Sequence, residues 1–394
     1  MKTILLISRC PPYPLHFGDR LIIWHMAREL SRRGHIIDLL ALYDRDDDPQ
    51  WITEYRDFFR HIELVRETRR SGQAYLRRLL NPSLRFASSP DISFSPEMWR
   101  AIERYVRGFD YDIVHCFGSV SVYEYHPIFA DKPNLITPYE SHALFLQSAA
   151  EQGQLSARLR LPVVRRFEGF MYAPYDRTVV IAERDRDMLL SLRPRLPVDV
   201  IPNGIELGRF AWNGENRDGG TLLFVGNFDY RPNQDAARLL TERIMPEIWR
   251  QMPGAQLQLV GNNPPEWMLN LADNRVLVTG RVPEVQPFLA RATAFICPLR
   301  VGAGQKNKAL EALAMGIPLV ATPLSLDGIA VEHGQSAIIA EARDIAAAAL
   351  HVLSDEELRQ RLSLRGRELV EAEYTWGKTA ASYERLYDEL TRKS

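Results

Sequence analysis

The sequence predicts an α/β protein built from two Rossmann-like halves, and three observations support that fold class. Short apolar strands alternate with helices along almost the whole chain of 394 residues. The strand pattern stops near residue 201 and begins again at Thr221. A chain of this length also exceeds the usual size of one domain. Strands that alternate with helices form parallel sheets that helices cover on both faces.

The first half, residues 1–201, is predicted to form an N-terminal Rossmann-like domain. Its strands are predicted at 3–7, 36–42, 112–116, 134–137, 178–181 and 199–201. Its helices are predicted at 20–33, 155–172 and 183–192. The apolar run that follows Thr3 is too short for the core of a signal peptide and fits a buried first strand.

The second half, residues 213–375, repeats the pattern after an interdomain linker at 202–212. Its strands are predicted at 221–225, 256–260, 276–279, 294–297, 319–322 and 337–339. Its helices are predicted at 234–251, 284–291, 306–315, 344–353 and about 355–372. A last helix, 376–392, has an apolar stripe and no strand after it. We therefore expect residues 376–394 to return to the N-terminal domain.

Composition and charge exclude several functional classes. The net charge of -1 gives no support for binding nucleic acid through bulk charge. The three cysteines lie far apart, which predicts neither a zinc site nor a disulfide framework. No stretch approaches the roughly 18 apolar residues of a membrane span. We expect a cytoplasmic protein whose thiols are buried and reduced.

The segment 302–322 carries the strongest sign of chemistry. It runs from a glycine loop into a short helix and then into an apolar strand. The helix is apolar on nearly every side, which predicts burial, yet Lys308 and Glu311 share one face of it. Buried charges are costly unless they are paired or bound by a ligand. A glycine loop before a cationic helix N-terminus suits phosphate, so we expect a phosphate-bearing ligand here.

These motifs resemble those of the retaining glycosyltransferases of the two-Rossmann (GT-B) architecture, family 4 type. The matching segments are 222–233, 280–282, 304–316, 202–205 with Phe210, and 11–14 followed by Gly18. The resemblance covers essentially the whole chain. The 304–311 motif is most similar to those of sugar transferases from bacterial exopolysaccharide clusters.

The resemblance implies transfer of a sugar from a nucleotide-diphosphate sugar to a hydroxyl acceptor, in polysaccharide or glycolipid synthesis. It implies two domains that face each other across a cleft, with the donor bound mainly by the second. It implies no metal or other cofactor, because cations and helix N-terminal amides replace the metal. A sugar-nucleotide epimerase of the same architecture and an inactive nucleotide-sugar-binding relative stay open. A nicotinamide-dependent oxidoreductase would need a Gly-x-Gly-x-x-Gly that the segment 10–18 lacks.

Carried over residue by residue, the resemblance assigns a set of donor-binding residues. They are Glu311, Gly304, Asn307, Leu310, Arg231, Asn227, Arg281, Val282 and Gly18. Glu311 would hold the ribose hydroxyls, the amides at 306–310 would meet the diphosphate, and the main chain at 281–282 would touch the base. Many family members carry a further glutamate eight residues before this carboxylate, where the present chain has Ala303.

The expected catalytic residues come from both halves. Lys306 and Lys308 would stabilise negative charge on the leaving diphosphate. Glu140 and His142 follow the strand at 134–137, and either could contact the acceptor or the donor sugar. Structural alternatives stay open, because Lys308 and Glu311 could form a solvated ion pair and Lys306 could be plain surface charge.

Two features outside this set also carry expectations. Gly18 is expected to supply a backbone conformation or a close approach that a side chain would block. A basic stretch at 66–85 is predicted to be either a solvated helix face or a docking surface for anionic lipid at the inner face of the membrane. Its arginines are Arg66, Arg69, Arg70, Arg77, Arg78 and Arg85.

Overall fold

The computed structural model describes residues 1–15, 18–68, 70–211, 217 and 219–392. Within these ranges the chain divides into two compact units. Unit 1 comprises residues 1–150, 154–202 and 376–392, and unit 2 comprises residues 151–153 and 203–375. Each unit contains one parallel sheet with helices packed against it.

Unit 1 has a seven-stranded sheet whose strand order is β3-β2-β1-β4-β5-β6-β7. The strands are β1 (Thr3–Ser8), β2 (Ile36–Tyr43), β3 (His61–Arg66), β4 (Ile113–Phe117), β5 (Asn134–Tyr139), β6 (Arg177–Val180) and β7 (Val198–Val200). Every residue of β4 and β5 is buried, as expected for central strands of a sheet covered on both faces.

Among the described residues before 202, unit 1 has six α-helices. They are α1 (Gly18–Arg32), α2 (Gly72–Leu80), α3 (Pro96–Gly108), α4 (His142–Glu151), α5 (Leu155–Met171) and α6 (Glu183–Leu192). Serine caps begin two of them, since the Ser71 hydroxyl accepts from the amide of Ala74 and the Ser95 hydroxyl accepts from that of Met98.

Unit 2 has a six-stranded sheet in the order β10-β9-β8-β11-β12-β13. The strands are β8 (Thr221–Val225), β9 (Gln256–Val260), β10 (Val276–Val278), β11 (Ala294–Cys297), β12 (Leu319–Ala321) and β13 (Ile338–Ile339). The helices are α7 (Arg231–Leu239), α8 (Met245–Gln251), α9 (Glu266–Leu269), α10 (Gln286–Arg291), α11 (Asn307–Ala314), α12 (Ile345–Ser354) and α13 (Glu356–Glu373).

The last helix, α14 (Trp376–Arg392), lies in unit 1, as expected from its apolar stripe. The rings of His25 and Trp376 stack with centroids 4.6 Å apart. The hydroxyl of Tyr387 lies 2.7 Å from Nδ1 of His115 on β4. Burial lowers the pKa of His115 to about 3, so this histidine is neutral near pH 7. The end of the chain is therefore part of the core of unit 1.

Part of the predicted interdomain segment belongs to unit 2. The amide of Ile205 donates to the carbonyl of Tyr374 at 2.8 Å, and Phe210 is buried in the unit 2 core. Residue 212, the last of that segment, lies outside the described residues. In the described ranges no helix is both long and apolar enough to cross a bilayer.

The basic stretch at 66–85 does not form one surface face. Arg78 is buried, forms an ion pair with Glu124 and lies 3.8 Å from the ring centroid of Phe94. The side chain of Arg70 is 6% exposed and donates to two backbone carbonyls of unit 1. The prediction of a continuous solvated or lipid-binding face is therefore wrong at these two arginines, because the fold uses them as internal donors. Arg69 lies outside the described residues.

Candidate functional site

Loops at the carboxyl ends of β8 and β11 form the candidate site of unit 2. These strands are neighbours in a parallel sheet, so the loops 226–230 and 298–306 leave the same edge of the sheet. The loop after β9 packs closely on the first of them at Gly261. A Cβ at Gly261 would lie 2.0 Å from the carbonyl oxygen of Gly226, and its φ is +142°. Only glycine fits that contact.

Glu311 is a half-buried carboxylate for which the described chain supplies no hydrogen-bond donor. It lies on α11, whose other side chains in this turn are core residues. Burial raises the pKa of Glu311, and the charges of Arg209 and Lys308 oppose that rise. Removing a carboxylate from water is unfavourable unless donors reach it. This side chain is therefore suited to accept hydrogen bonds from the hydroxyls of a ligand.

The first turn of α11 offers two backbone amides beside this carboxylate. The amides of Asn307 and Lys308 have no intrahelical acceptor, and no other acceptor in the described ranges reaches them. The amides of Ala309 and Leu310 donate to the carbonyl of Lys306, at 2.9 and 3.4 Å. The Leu310 side chain is buried in the core. Of the amides predicted to meet a diphosphate, the structure therefore leaves two free for an anion.

Lys306 immediately precedes α11, and its ammonium contacts the backbone of the glycine loop that comes before it. Nζ donates to the carbonyls of Ala303 at 2.6 Å and of Gly304. Gly304 has a φ of +66°, which turns its carbonyl into this arrangement. The positive charge is thus held within the glycine loop, next to the two free amides.

Lys308 is enclosed within unit 2. Its Nζ donates to Oδ1 of Asn233 at 2.6 Å and lies 4.4 Å from the ring centroid of Phe224. Burial lowers the pKa of Lys308 to about 8, while Cys297 and Glu311 oppose the shift. Lys308 and Glu311 form no ion pair, so the alternative of a solvated pair does not hold. The lysine joins α11 to α7, and its expected contact with the diphosphate stays a prediction.

The remaining predicted donor residues lie at the same edge of the unit 2 sheet. Arg231 begins α7, is exposed and forms no ion pair in the described part of the chain. Asn227 belongs to the loop after β8, where its Oδ1 accepts from the amide of Asp229 at 3.2 Å. Arg281 and Val282 follow the carboxyl end of β10, and Arg281 is exposed.

In unit 1 the predicted residues Glu140 and His142 follow a strained strand end. Tyr139, the last residue of β5, has a φ of +71°, and the pairing of β5 with β6 is irregular between Ile136 and Tyr139. A non-glycine residue rarely adopts this conformation, and such strain is often found at functional sites. Glu140 is half-buried, and His142 begins α4 as an exposed residue.

Two buried carboxylates that the sequence analysis missed hold the start of α4. Glu168 accepts from the hydroxyl of Ser141 at 2.6 Å and from the amides of His142 at 2.7 Å and Ala143 at 3.3 Å. Asp185 accepts from the amide of Ser141 at 2.7 Å. The sequence does show Glu168 among the apolar residues of the predicted helix 155–172. The charge pattern alone does not show whether such an acid is buried or exposed.

Burial sets the protonation of this part of unit 1. It raises the pKa of Glu168 to about 7, against the opposing effect of the hydrogen bonds from residues 141–143. Partial desolvation and the charge of Arg160 lower the pKa of His142. The imidazole is therefore a neutral group near pH 7, able to accept or donate one hydrogen bond.

Gly18 has an ordinary helical conformation, and its predicted contact with the donor stays a prediction. It begins α1, its φ is outside the left-handed region, and a Cβ there would meet no atom within 4 Å. The expectation of a special conformation or of a close approach within the chain is therefore wrong. Nearby, Arg20 and Asp48 form a buried ion pair at 2.5 Å that fixes the start of this helix.

Two family models match consecutive parts of the chain. Residues 21–209 match a model described as Glycosyltransferase Family 4, and residues 219–355 match one described as Glycosyl transferases group 1. Together the two matches span most of unit 1 and unit 2. This chain belongs to the GT-B glycosyltransferases of family 4 type. The two parallel sheets confirm the predicted fold class, and the two matches confirm the resemblance to family 4 glycosyltransferases.

Individual proteins show the same relationship. Over 204 residues this glycosyltransferase is 30% identical to the glycogen synthase of Mycobacterium tuberculosis, an alignment that covers 48% of each protein. Sucrose-phosphate synthase from Thermosynechococcus elongatus has a similar structure over 100% of both chains, with a TM-score of 0.76 and 19% identity. Anabaena HepE in complex with UDP-glucose has a TM-score of 0.65 and 12% identity over 99% of this chain and 100% of that one. This chain spans about half the length of the first of these relatives.

Proposed function

We propose that this glycosyltransferase moves a sugar from a nucleotide-diphosphate sugar to a hydroxyl acceptor, with retention of configuration, in bacterial polysaccharide or glycolipid synthesis. The observation that carries the proposal is the Glu311 carboxylate, which has no donor in the described chain and lies near two free amides. Slightly more than one helical turn, about 6 Å along the axis, separates Asn307 from Glu311. That spacing suits a ribose held by the carboxylate and a diphosphate held by the amides.

The positively charged groups of unit 2 have different roles in this proposal. Arg231, exposed at the start of α7, and Lys306, held on loop carbonyls, supply cations as charge builds on the leaving diphosphate. Lys308 positions the loop after β8 through Asn233. The main chain at 281–282 contacts the base, and Asn227 shapes the loop. No metal takes part.

Unit 1 supplies the acceptor side of the proposal. His142 and Glu140 follow β5 on a segment that two buried carboxylates hold in place. The lowered pKa of His142 leaves a neutral imidazole that can bind a sugar hydroxyl. Similarity in fold to a structure that contains UDP-glucose supports a nucleotide-sugar donor. A cytoplasmic location at the inner face of the membrane stays a prediction.

A second candidate is a relative that binds a nucleotide sugar without transferring it. Ala303 favours this candidate, because many family members have a carboxylate there and the present side chain is small and buried. An epimerase of the same architecture would need no acceptor and would release a free modified sugar.

Incubation with labelled sugar nucleotides separates these functions. The first step measures thermal stabilisation by a panel of nucleoside diphosphates, because a ligand that binds only the folded state raises the melting temperature. The second step follows radiolabelled sugar from the stabilising nucleotide to lipid or saccharide acceptors. We expect stabilisation and transfer. Stabilisation without turnover supports the inactive relative, release of a modified free sugar supports the epimerase, and no stabilisation by any nucleotide contradicts all three.

A further inference from the structure

The outer face of α5 exposes an apolar stripe. Leu155, Leu159 and Val163 are spaced four residues apart, which places them on one side of the helix, and their exposed fractions are 69%, 71% and 46%. The opposite side of the same helix packs into unit 1 through residues such as Ala157 and Met171. The helix is therefore apolar on both its inner and its outer face, which a purely structural helix does not need.

Unpaired arginines flank this stripe on both sides. Arg158, Arg160, Arg165 and Arg166 are all exposed. None of them forms an ion pair in the described ranges, and the segment 152–167 contains no aspartate or glutamate. At helical spacing, Arg158 and Arg165 lie on one side of the stripe, Arg160 lies on the other, and Arg166 lies in line with the stripe. A basic face with a central apolar stripe is typical of helices that lie in a membrane interface.

A second helix extends the same character. Helix α2 packs against α5, with the rings of Tyr75 and Phe167 6.0 Å apart. It exposes Leu76 and Leu80, at 53% and 72%, with the exposed Arg77 between them. Of the twelve large apolar residues that are exposed in the described chain, five belong to these two helices. Because these five residues lie on two neighbouring helices, they form a surface, unlike the exposed apolar residues that are scattered elsewhere.

We propose that the exposed face of α5, with α2 beside it, docks on an anionic lipid bilayer. Charge selects this occupant, because the arginines match lipid phosphates and carboxylates. A second copy of the chain fits less well, since a two-fold contact would bring two sets of four unpaired arginines together. The surface keeps the exposed side of α2 from the stretch 66–85, adds α5 and leaves out the buried Arg70 and Arg78. It goes beyond sugar transfer and does not depend on it.

Vesicle co-sedimentation of the full chain tests the proposal. The probes are vesicles of 70% phosphatidylcholine with 30% phosphatidylglycerol, and vesicles of phosphatidylcholine alone. We expect binding to the anionic vesicles that falls as salt is raised. Arg158→Gln with Arg165→Gln lowers the partition coefficient roughly 30-fold, about fivefold for each charge. Arg158→Lys with Arg165→Lys keeps most of the binding, because charge is what the lipid recognises.

The apolar stripe has a matched control in unit 2. Leu155→Ser with Leu159→Ser is expected to lower binding at least ~10-fold, since leucine insertion contributes strongly to interfacial binding. Leu269→Ser with Leu364→Ser, at residues that are 49% and 48% exposed, is expected to leave it unchanged. If every variant binds the anionic vesicles as wild type does, the proposal is overturned. It is also overturned if the wild-type protein binds neither kind of vesicle. Self-association that only the α5 variant abolishes would identify a copy-to-copy interface instead.

Discussion

The ammonium of Lys308 donates a 2.6 Å hydrogen bond to Oδ1 of Asn233 and so joins the first turns of α11 and α7. The amide nitrogen of the same asparagine donates to the carbonyl of Asn227 at 2.7 Å. One buried cation thus fixes the loop after β8 relative to the helix that carries Glu311. Part of the charge in the candidate donor site therefore organises the site.

Replacing Lys308 by methionine tests this organising role. The change leaves the Asn233 oxygen without its donor, and an unsatisfied buried polar group costs about 1–3 kcal/mol. We expect the free energy of unfolding to fall by that amount and nucleotide affinity to fall with it. Chemical denaturation followed by tryptophan fluorescence measures the first effect. Lys378→Met, at an exposed residue, is the control and should stay within about 0.5 kcal/mol of wild type. If Lys308→Met is as stable as Lys378→Met, the organising role of Lys308 is contradicted.

Gly261→Ala is expected to destabilise unit 2. The added Cβ would lie 2.0 Å from the Gly226 oxygen, at a φ of +142° that side chains rarely adopt. Strain of this kind costs about 1–3 kcal/mol or more, which corresponds to a melting temperature roughly 3–10 °C lower. Differential scanning calorimetry measures the shift. Gly254→Ala has open space around its Cβ and serves as the control. If Gly261→Ala has the same melting temperature as Gly254→Ala, the loops after β8 and β9 can move apart at little cost and the prediction is wrong.

The raised pKa of Glu168 predicts that the free energy of unfolding falls as the pH rises, which is the reverse of the usual effect of a carboxyl group. Its pKa is about 7 in the folded chain and about 4.5 when unfolded, so between these values the folded state binds more protons. The stability that this group contributes is present below pH 4.5 and is lost as the pH rises through 7. The contribution amounts to as much as about 3 kcal/mol.

The free energy of unfolding of wild type and of Glu168→Gln is measured between pH 4.5 and 8. The difference between the two curves gives the contribution of this carboxyl group. The decline in stability with pH should be smaller in the variant, because glutamine does not titrate. Asp185 faces the same helix start and is unchanged in both proteins, so its effect largely cancels. Asp187→Asn, at an exposed residue of α6, should keep the wild-type slope. Parallel curves for all three proteins would assign the slope to other groups.

The sequence alone located several strands to the residue. Strands β8, β9 and β11 have the predicted bounds, because fully covered parallel strands appear as continuous apolar runs between polar turns. Strand β3 was missed because it is a charged edge strand, His61–Arg66, with a single buried residue. Helix α4 was missed because its cap is Glu168, which lies 26 residues further along the chain. Local patterns cannot show a cap that only the tertiary fold supplies.

The candidate site shows the same division between local and distant information. Glu311 and the free amides lie within five consecutive residues, so the sequence could predict them together. The partner of Lys308 lies 75 residues away, and the sequence alone placed that lysine against the ligand. Gly18 resembled a family motif, but nothing packs where its side chain would be. Resemblance selected the candidate segments and did not supply the contacts within the chain.

Calorimetric titration of nucleoside diphosphate into wild-type protein and into Glu311→Ala tests the central claim most directly. Loss of charge-assisted hydrogen bonds to the ribose should weaken binding by about 1.5–3 kcal/mol, or roughly 10- to 150-fold in Kd. Glu357→Ala, at an exposed residue of α13, should bind as wild type does. A folded Glu311→Ala protein with unchanged affinity would contradict the assignment of this carboxylate to the donor.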